Sequence, residues 1–294
     1  MRIIIAGGTG LIGSYLKNKF EEAGNTVEII SRQNGFIAWE HNQLVSSLEN
    51  SDVLINLSGR SINCRHNTVN QAQILNSRVE STRMLGTALK ECSKPPTLWI
   101  NASASAIYSH SEKIQHTENS QNFAHDFLAK VVETWEKTFN DAQVPGVRQV
   151  TLRTSVVLDP QDGAFKPLLL LSRLGLGGQV GNGKQFFSWI HIHDYSRIVQ
   201  FIINNQEIVG IVNCASPLPV SNADLMRAFR KSVNMKIGIP APKFLVKIAA
   251  IFIGTEPSLI LDSTNIYPEK LIKAGFEFKF DSIDKAIFNL VKGN

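Results

Sequence analysis

The feature that most constrains this chain lies in its first thirteen residues, where the apolar run Ile3, Ile4, Ile5, Ala6 leads straight into Gly7-Gly8-Thr9-Gly10-Leu11-Ile12-Gly13. An uninterrupted apolar run that ends at glycine reads as a strand buried on both faces, and Leu11, Ile12, Tyr15, Leu16 and Phe20 then recur at helical spacing. Glycine permits a tight turn and a close backbone approach to phosphate, while a helix N-terminus offers unpaired N–H groups and a favourable dipole. Strand, glycine turn and helix in that order predict a dinucleotide phosphate cradle made by Gly7, Thr9, Gly10, Leu11, Ile12 and Gly13.

Strands and helices alternate after this unit. Val27–Ile30, Val53–Leu57, Leu98–Ala102 and Val150–Arg153 read as strands, and Asn76–Lys90 and Phe123–Phe139 as helices. The pattern predicts an α/β protein with a Rossmann-type doubly wound parallel sheet and ligand loops at the strand C-termini. Residues 1–154 form the expected dinucleotide-binding Rossmann core. Residues 155–294 form a smaller, mainly substrate-facing C-terminal lobe, interleaved with the core because Ile208–Cys214 returns a strand and 190–214 joins the sheet. The glycines at 175, 177, 178, 181 and 183 read either as a lid over a ligand or as a turn-rich connector. Leu168–Leu171 and Phe244–Ile253 are too short to span a membrane and read as core helices.

With 294 residues, 43% hydrophobic and 19% charged, the composition excludes extensive disorder. The net charge of +5 comes from Lys and Arg spread along the chain. That distribution argues for a solvated surface and against nucleic-acid binding. Cys64, Cys92 and Cys214 lack paired spacing, so no metal site and a reducing, cytoplasmic location are expected. The first strand begins at once, leaving no room for a leader.

The residue pair closing the second strand selects the nucleotide. An acid there binds a ribose 2′-hydroxyl, whereas a hydroxyl and a guanidinium suit a 2′-phosphate. Ser31-Arg32 therefore favours NADP; the competing reading places Glu28 at the ribose in a shifted register. The spacing Gly7, Gly10, Gly13, followed by Asn56-Leu57-Ser58-Gly59, and with it Asn76 to Glu80, Asp126 to Ala129, Trp135-Glu136, Leu152 to Thr154, Ser188 to Ile192, Glu256 to Leu259 and Gly275-Phe276, resembles the extended short-chain dehydrogenase/reductase superfamily. Within it they resemble the atypical branch called the epimerase family, often labelled nucleoside-diphosphate-sugar epimerase, which has its own C-terminal domain. The resemblance implies pyrophosphate at Gly10 to Gly13, an adenosine phosphate at Ser31 and Arg32, and adenine and ribose near Leu57, Ser58 and Gly59. It also implies a cofactor phosphate at Arg78, nicotinamide beside Val156 and a possible homodimer.

The superfamily's reductases use a Tyr as general acid/base with a Lys four residues later. In the matching helix of this chain Lys130 is present, but Asp126 and Phe127 stand where the Tyr belongs, and no Tyr-x-x-x-Lys is read. Ser103 and Tyr108, in and after the fourth strand, are the candidate polar partners of the reaction, with Lys130 at the ribose. His191 and His193 alternate on an extended segment and face one side, but a pair of His with one Asp does not make a metal site. Two functions stay open: an NADP-dependent oxidoreductase or epimerase-like enzyme acting on a carbonyl or alcohol, and a catalytically silent NADPH-sensing protein that regulates or binds a partner.

Overall fold

The computed structural model describes residues 1–247 and 256–293. The first half runs β1 (Arg2–Ala6), α1 (Leu11–Glu22), β2 (Thr26–Ile30), α2 (His41–Leu48), β3 (Val53–Asn56), α3 (Thr68–Glu91), β4 (Leu98–Ala104), α4 (Phe127–Asp141) and β5 (Arg148–Thr154). There follow β6 (Val156–Leu158), α5 (Phe165–Arg173), β7 (Phe186–Phe187), β8 (Trp189–His191), α6 (Ile192–Asn204), β9 (Gly210–Cys214), β10 (Val220–Ser221) and α7 (Asn222–Ser232). Three short helices, α8 (Ser258–Leu261), α9 (Glu269–Lys273) and α10 (Ile283–Lys292), complete the described chain.

The main sheet is wholly parallel, in the order β2-β1-β3-β4-β5-β9. The chain leaves β2 at one edge and crosses to β3 on the far side of β1, so a crevice opens beyond the carboxyl ends of β1 and β3. Alternation along β1 builds a core on each face. Ile3 and Ile5 join Leu16 and Phe20 of α1 and Ile198 and Ile202 of α6, while Ile4 and Ala6 join Leu44 and Leu48 of α2 and Leu85 and Leu89 of α3. Each such residue is fully buried or nearly so, and each Ile, Leu or Phe among them contributes roughly 1.5–3 kcal/mol.

Helix starts follow capping chemistry more closely than hydrophobic period. Asn67 Oδ1 accepts from the Asn70 amide, so α3 begins well before the predicted Asn76. Asp126 Oδ1 accepts from the Ala129 amide, so α4 begins at Phe127, and Phe123 instead bridges Tyr108 in extended conformation. His191 Nδ1 accepts from the His193 amide, ending β8 and starting α6. His193 thus sits in a helical turn, correcting the expectation that both imidazoles share one face of a strand. Because Nδ1 of His191 accepts, its Nε2–H donates to Asn289 Oδ1 at 3.2 Å, and burial lowers its pKa to about 4. The ring also stacks on Phe280 with centroids 3.8 Å apart, which makes it a structural neutral imidazole.

The second lobe rests on β6 paired with β8 and β7 paired with β10, over a core that includes Phe165, Trp189, Phe229 and Ile287. The glycine loop is packed rather than lid-like. Val180 bridges Ala241, and a Cβ at Gly178 would lie 2.3 Å from the Ile239 carbonyl carbon. Nor are the two later apolar runs core throughout: Leu170, Leu171, Phe244 and Leu245 are exposed, and the rest of the second run, 248–253, lies outside the described residues. Among those residues, no helix is long and apolar enough to cross a membrane.

Asp194, at the start of α6, fastens the lobe to the sheet. It is fully buried and accepts from the Lys279 amide at 3.1 Å, the Phe280 amide at 2.7 Å and Arg197 Nη1 at 2.9 Å. Burial opposes its ionisation, yet these donors and His193 hold its pKa below the usual carboxylate value. A depressed folded pKa adds stability that is complete above the unfolded pKa and lost as pH falls through the folded one. Asp194→Asn is therefore expected to lower the unfolding free energy at neutral pH by about 2–4 kcal/mol, read from urea titrations. The gap to wild type should close below about pH 4, and a gap independent of pH would show that the carboxylate charge does no fastening.

Candidate functional site

The β1–α1 turn has the predicted cradle geometry. Gly7 adopts φ +77°, and a Cβ there would lie 2.9 Å from the Leu57 carbonyl carbon and the Ser58 amide nitrogen, so the turn packs directly on the loop after β3. At Gly13 a Cβ would lie 2.5 Å from Gly8 Cα, so only glycine lets α1 approach the turn this closely. α3, α4, α6, α7 and α10 each begin on a side chain that caps them, whereas α1, like α2 and α5, has no side-chain cap and no acid in its first turn, and of these three α1 alone follows the glycine turn after β1. Its first-turn amides have no side-chain cap, and an uncapped helix N-terminus with its positive dipole end is an arrangement that binds an anion.

The far side of the turn carries Ser31 and Arg32. The buried Ser31 hydroxyl lies 3.4 Å from that of Thr9 and accepts from the Gln33 amide, while Arg32 is exposed. Glu28 of β2 is instead paired with Arg2 of β1 at 2.6 Å, which removes it from the ribose position. Asn56, at the end of β3, accepts from the Ser58 amide and donates to Asn101 and Thr82, fixing the Leu57-Ser58-Gly59 loop against the sheet.

Beyond this cradle lies a cavity of 200 Å³ at the carboxyl ends of β3, β4 and β5. Ile12 and Leu57 belong to both, so the two are continuous. Ala102, Ser103, Ala104 and Ala106 form one wall, Leu128, Val131, Val132 and Trp135 of α4 another, and Ile62, Arg78, Thr154 and Tyr195 close it. A larger groove beside Arg2 and Glu28 is wide open and lies away from these strand ends. Arg78 is the cavity's cation. It donates to the Arg60 and Ile74 carbonyls, stands 5.3 Å over the Trp135 ring and touches Gly59, with no carboxylate among the described residues paired to it. Burial lowers its pKa to about 10, so it remains charged at neutral pH without a counter-ion.

Behind the cavity wall is a buried polar network. Arg153 donates to both oxygens of Glu136, at 2.8 and 2.7 Å, and to the Tyr108 hydroxyl at 2.9 Å. Ser103 donates to Glu136 at 2.5 Å, and Tyr108 donates to Asn213 of β9 at 2.9 Å. Burial works against the Arg153 charge, but the Glu136 carboxylate more than offsets it and raises the pKa. Burial also raises that of Tyr108.

A family model described as NAD dependent epimerase/dehydratase family matches residues 3–215, and a second, Domain of unknown function (DUF1731), matches 241–290. The chain belongs to the NAD dependent epimerase/dehydratase family. The mouse epimerase family protein SDR39U1 is 33% identical, with 99% of this chain and all of that protein covered. A Staphylococcus epidermidis epimerase family protein is 30% identical over 99% of both. A crystal structure of human SDR39U1 (isoform 2) with NADPH superposes over all of both chains, with TM-score 0.91 and 31% identity. A Corynebacterium glutamicum nucleoside-diphosphate sugar epimerase gives TM-score 0.77 at 28% identity, covering 99% of this chain and 58% of that one.

Set beside the family's expected machinery, the predicted residues divide sharply. The glycine turn, Leu57 to Gly59, Arg78 and Ser103 converge, while Lys130 is exposed on the far face of α4 and Asp126 is occupied as the helix cap and by His110 at 3.0 Å. The pairs four residues apart that do face the cavity are Leu128 with Val132 and Val131 with Trp135. Tyr108 is 1% exposed and fully engaged behind the wall, not at it. Val156 packs in β6 against the second-lobe core, and Thr154 lines the cavity in its place. The sequence does contain one Tyr-x-x-x-Lys that the reading overlooked, Tyr15 and Lys19, but it lies on α1, where Tyr15 packs toward the second lobe with Lys19 5.9 Å over its ring. Tyr195 of the cavity wall was also missed, and the apolar spacing 128, 131, 132, 135 was the available signal for the true phase of α4. Glu136→Ala would leave Arg153 buried without its carboxylate. The expected loss is about 3–5 kcal/mol of unfolding free energy in urea, and a loss below about 1 kcal/mol would show that the network carries little of the fold.

Proposed function

We propose that this protein binds NADPH and acts as an oxidoreductase or epimerase-like protein on a carbonyl or alcohol compound. The observation that carries the reading is continuity: an uncapped helix N-terminus behind Gly7, Gly10 and Gly13 shares Ile12 with the lining of an apolar cavity whose arginine has no carboxylate partner among the described residues. The size and chemistry fit an extended dinucleotide, with pyrophosphate on the α1 amides, a 2′-phosphate at Ser31 and Arg32, and the far ring in the cavity. Human SDR39U1, solved with NADPH, supports the choice. When bound, the nicotinamide supplies or accepts a hydride. The chain's own part is to hold and orient it. Ile12, Leu57, Leu128 and Val132 exclude water, and Arg78 brings a fixed positive charge to a phosphate or to an anionic group of the second ligand.

A second reading, an NADPH-responsive binding protein without turnover, is favoured by the wall itself. Leu128 and Val132 occupy the cavity face of α4, and the Ser103 and Tyr108 hydroxyls are already committed to Glu136 and Asn213. NADPH consumption across a panel of aldehydes, ketones and quinones separates the readings: tight binding with no turnover selects the second. Arg32→Glu tests the nucleotide assignment common to both. Its NADPH affinity, by fluorescence titration, is expected to fall about tenfold or more while NADH affinity changes little. An equal change for both nucleotides would sink the assignment.

A further inference from the structure

Lys and Arg look evenly spread along the sequence, but the fold gathers many of them into one region of the second lobe. Residues 163–184 and 225–247 hold nine Lys or Arg and no Asp or Glu, more than the whole chain's net +5, so the rest of the chain is net acidic. Backbone contacts join the two segments. The Ile239 amide donates to the Gly175 carbonyl at 2.9 Å, Val180 bridges Ala241, and Arg230 Nη1 donates to the Gly177 carbonyl at 2.5 Å. Arg227 and Lys231 are paired with Asp224 and Asp284, whereas Lys166, Arg173, Lys184, Lys236 and Lys243 are exposed with no ion pair among the described residues. The joined segments are also where apolar side chains reach solvent. Residues 170–176 and 237–245 hold eight of the sixteen large apolar residues that stand exposed in the described chain, including Leu174 at 62%, Ile237 at 66% and Phe244 at 61%. None of the eight lines the cavity, so this face is separate from the nucleotide site.

Exposed apolar patches mark interaction surfaces, and the charge around this one selects the partner. A second copy meeting it about a two-fold axis would set basic face against basic face. A nucleic acid would neutralise the lysines but leave Leu, Ile and Phe side chains against phosphate. An anionic bilayer surface satisfies both features: its headgroups take the ammonium and guanidinium groups, and the apolar side chains enter the boundary with the acyl chains.

We infer that this face of the second lobe, formed by α5, the glycine loop and residues 236–247, docks on the surface of a membrane rich in anionic lipid. The attachment is peripheral, and it stands whether or not the NADPH reading holds. The experiment is cosedimentation of the full chain with vesicles of phosphatidylcholine alone and of phosphatidylcholine mixed with phosphatidylglycerol. Binding is expected to the mixed vesicles only, and to weaken as NaCl is raised from about 0.1 to 0.5 M. Arg173→Glu combined with Lys236→Glu is expected to weaken it about thirtyfold or more, since each basic residue at an anionic surface is worth about a factor of five. Leu174→Ser combined with Ile237→Ser is expected to weaken it about tenfold or more. All four substitutions replace exposed side chains, so the melting temperatures are expected to stay at the wild-type value, which separates loss of binding from loss of fold. No vesicle binding by wild type, equal binding to neutral and mixed vesicles, or wild-type binding by both double variants overturns the inference. So does either of two results in place of vesicle binding: capture of duplex DNA that depends on the two basic residues alone, or dimers in sedimentation equilibrium that Leu174→Ser with Ile237→Ser abolishes.

Discussion

The buried pair between Arg153 and Glu136 is the interaction on which the rest of the site depends. Taking a guanidinium and a carboxylate out of water costs several kcal/mol each, and the mutual attraction offsets this only when the remaining donors and lone pairs are also satisfied. Here they are: Ser103 of β4, Tyr108 after it and Asn213 of β9 complete the hydrogen bonds. The pair thereby ties the central strands to α4 and sets the helix's height and rotation over the strand ends. Through Tyr108 the constraint reaches further. Its ring stacks on His116, whose backbone joins residues 265–267 of the second lobe by two hydrogen bonds, and the Glu118 carboxylate accepts from the Asn213 and Lys270 amides. The two halves of the molecule meet through this polar seam, and the cavity lies on its sheet-ward side.

That seam explains why the Rossmann half was legible and the chemistry was not. Burial on both faces gives β1, β3 and the start of β4 continuous apolar runs, and the glycine turn is read from steric requirements local to a few residues. The rotation of α4 is a tertiary matter. A motif aligned on Asp126 and Lys130 points one way, whereas the apolar set Leu128, Val131, Val132 and Trp135 points to the cavity. The motif lost because Asp126 is needed as the cap and Lys130 gains nothing from an apolar wall. Tyr108 misled for a similar reason. Position after β4 places a residue near the strand ends, but only the arginine on β5 decides that its hydroxyl turns inward.

In the second lobe the local signals were weaker still. Glycines at 177 and 178 read as flexibility, yet each is required by close backbone or side-chain contact, with Ser172 and with Ile239 respectively. His191 and His193 looked alike in a period of two, until the first became the cap of α6. Capping, close approach and burial of a single polar group depend on partners far along the chain, which a local pattern does not contain.

The cavity's composition narrows what the protein can do there. Its lining includes arginine, hydroxyls and apolar side chains, but no carboxylate and no imidazole among the described residues. With the phenol of Tyr195 held protonated and Arg78 held charged, no lining side chain changes protonation near neutral pH. Acid/base assistance of the ordinary kind is thus displaced from the wall, and what remains is orientation, water exclusion and a fixed electrostatic field, which is stronger in an apolar cavity than in water. Such a site favours steps in which charge develops on an oxygen facing fixed donors over steps that need a proton from a side chain.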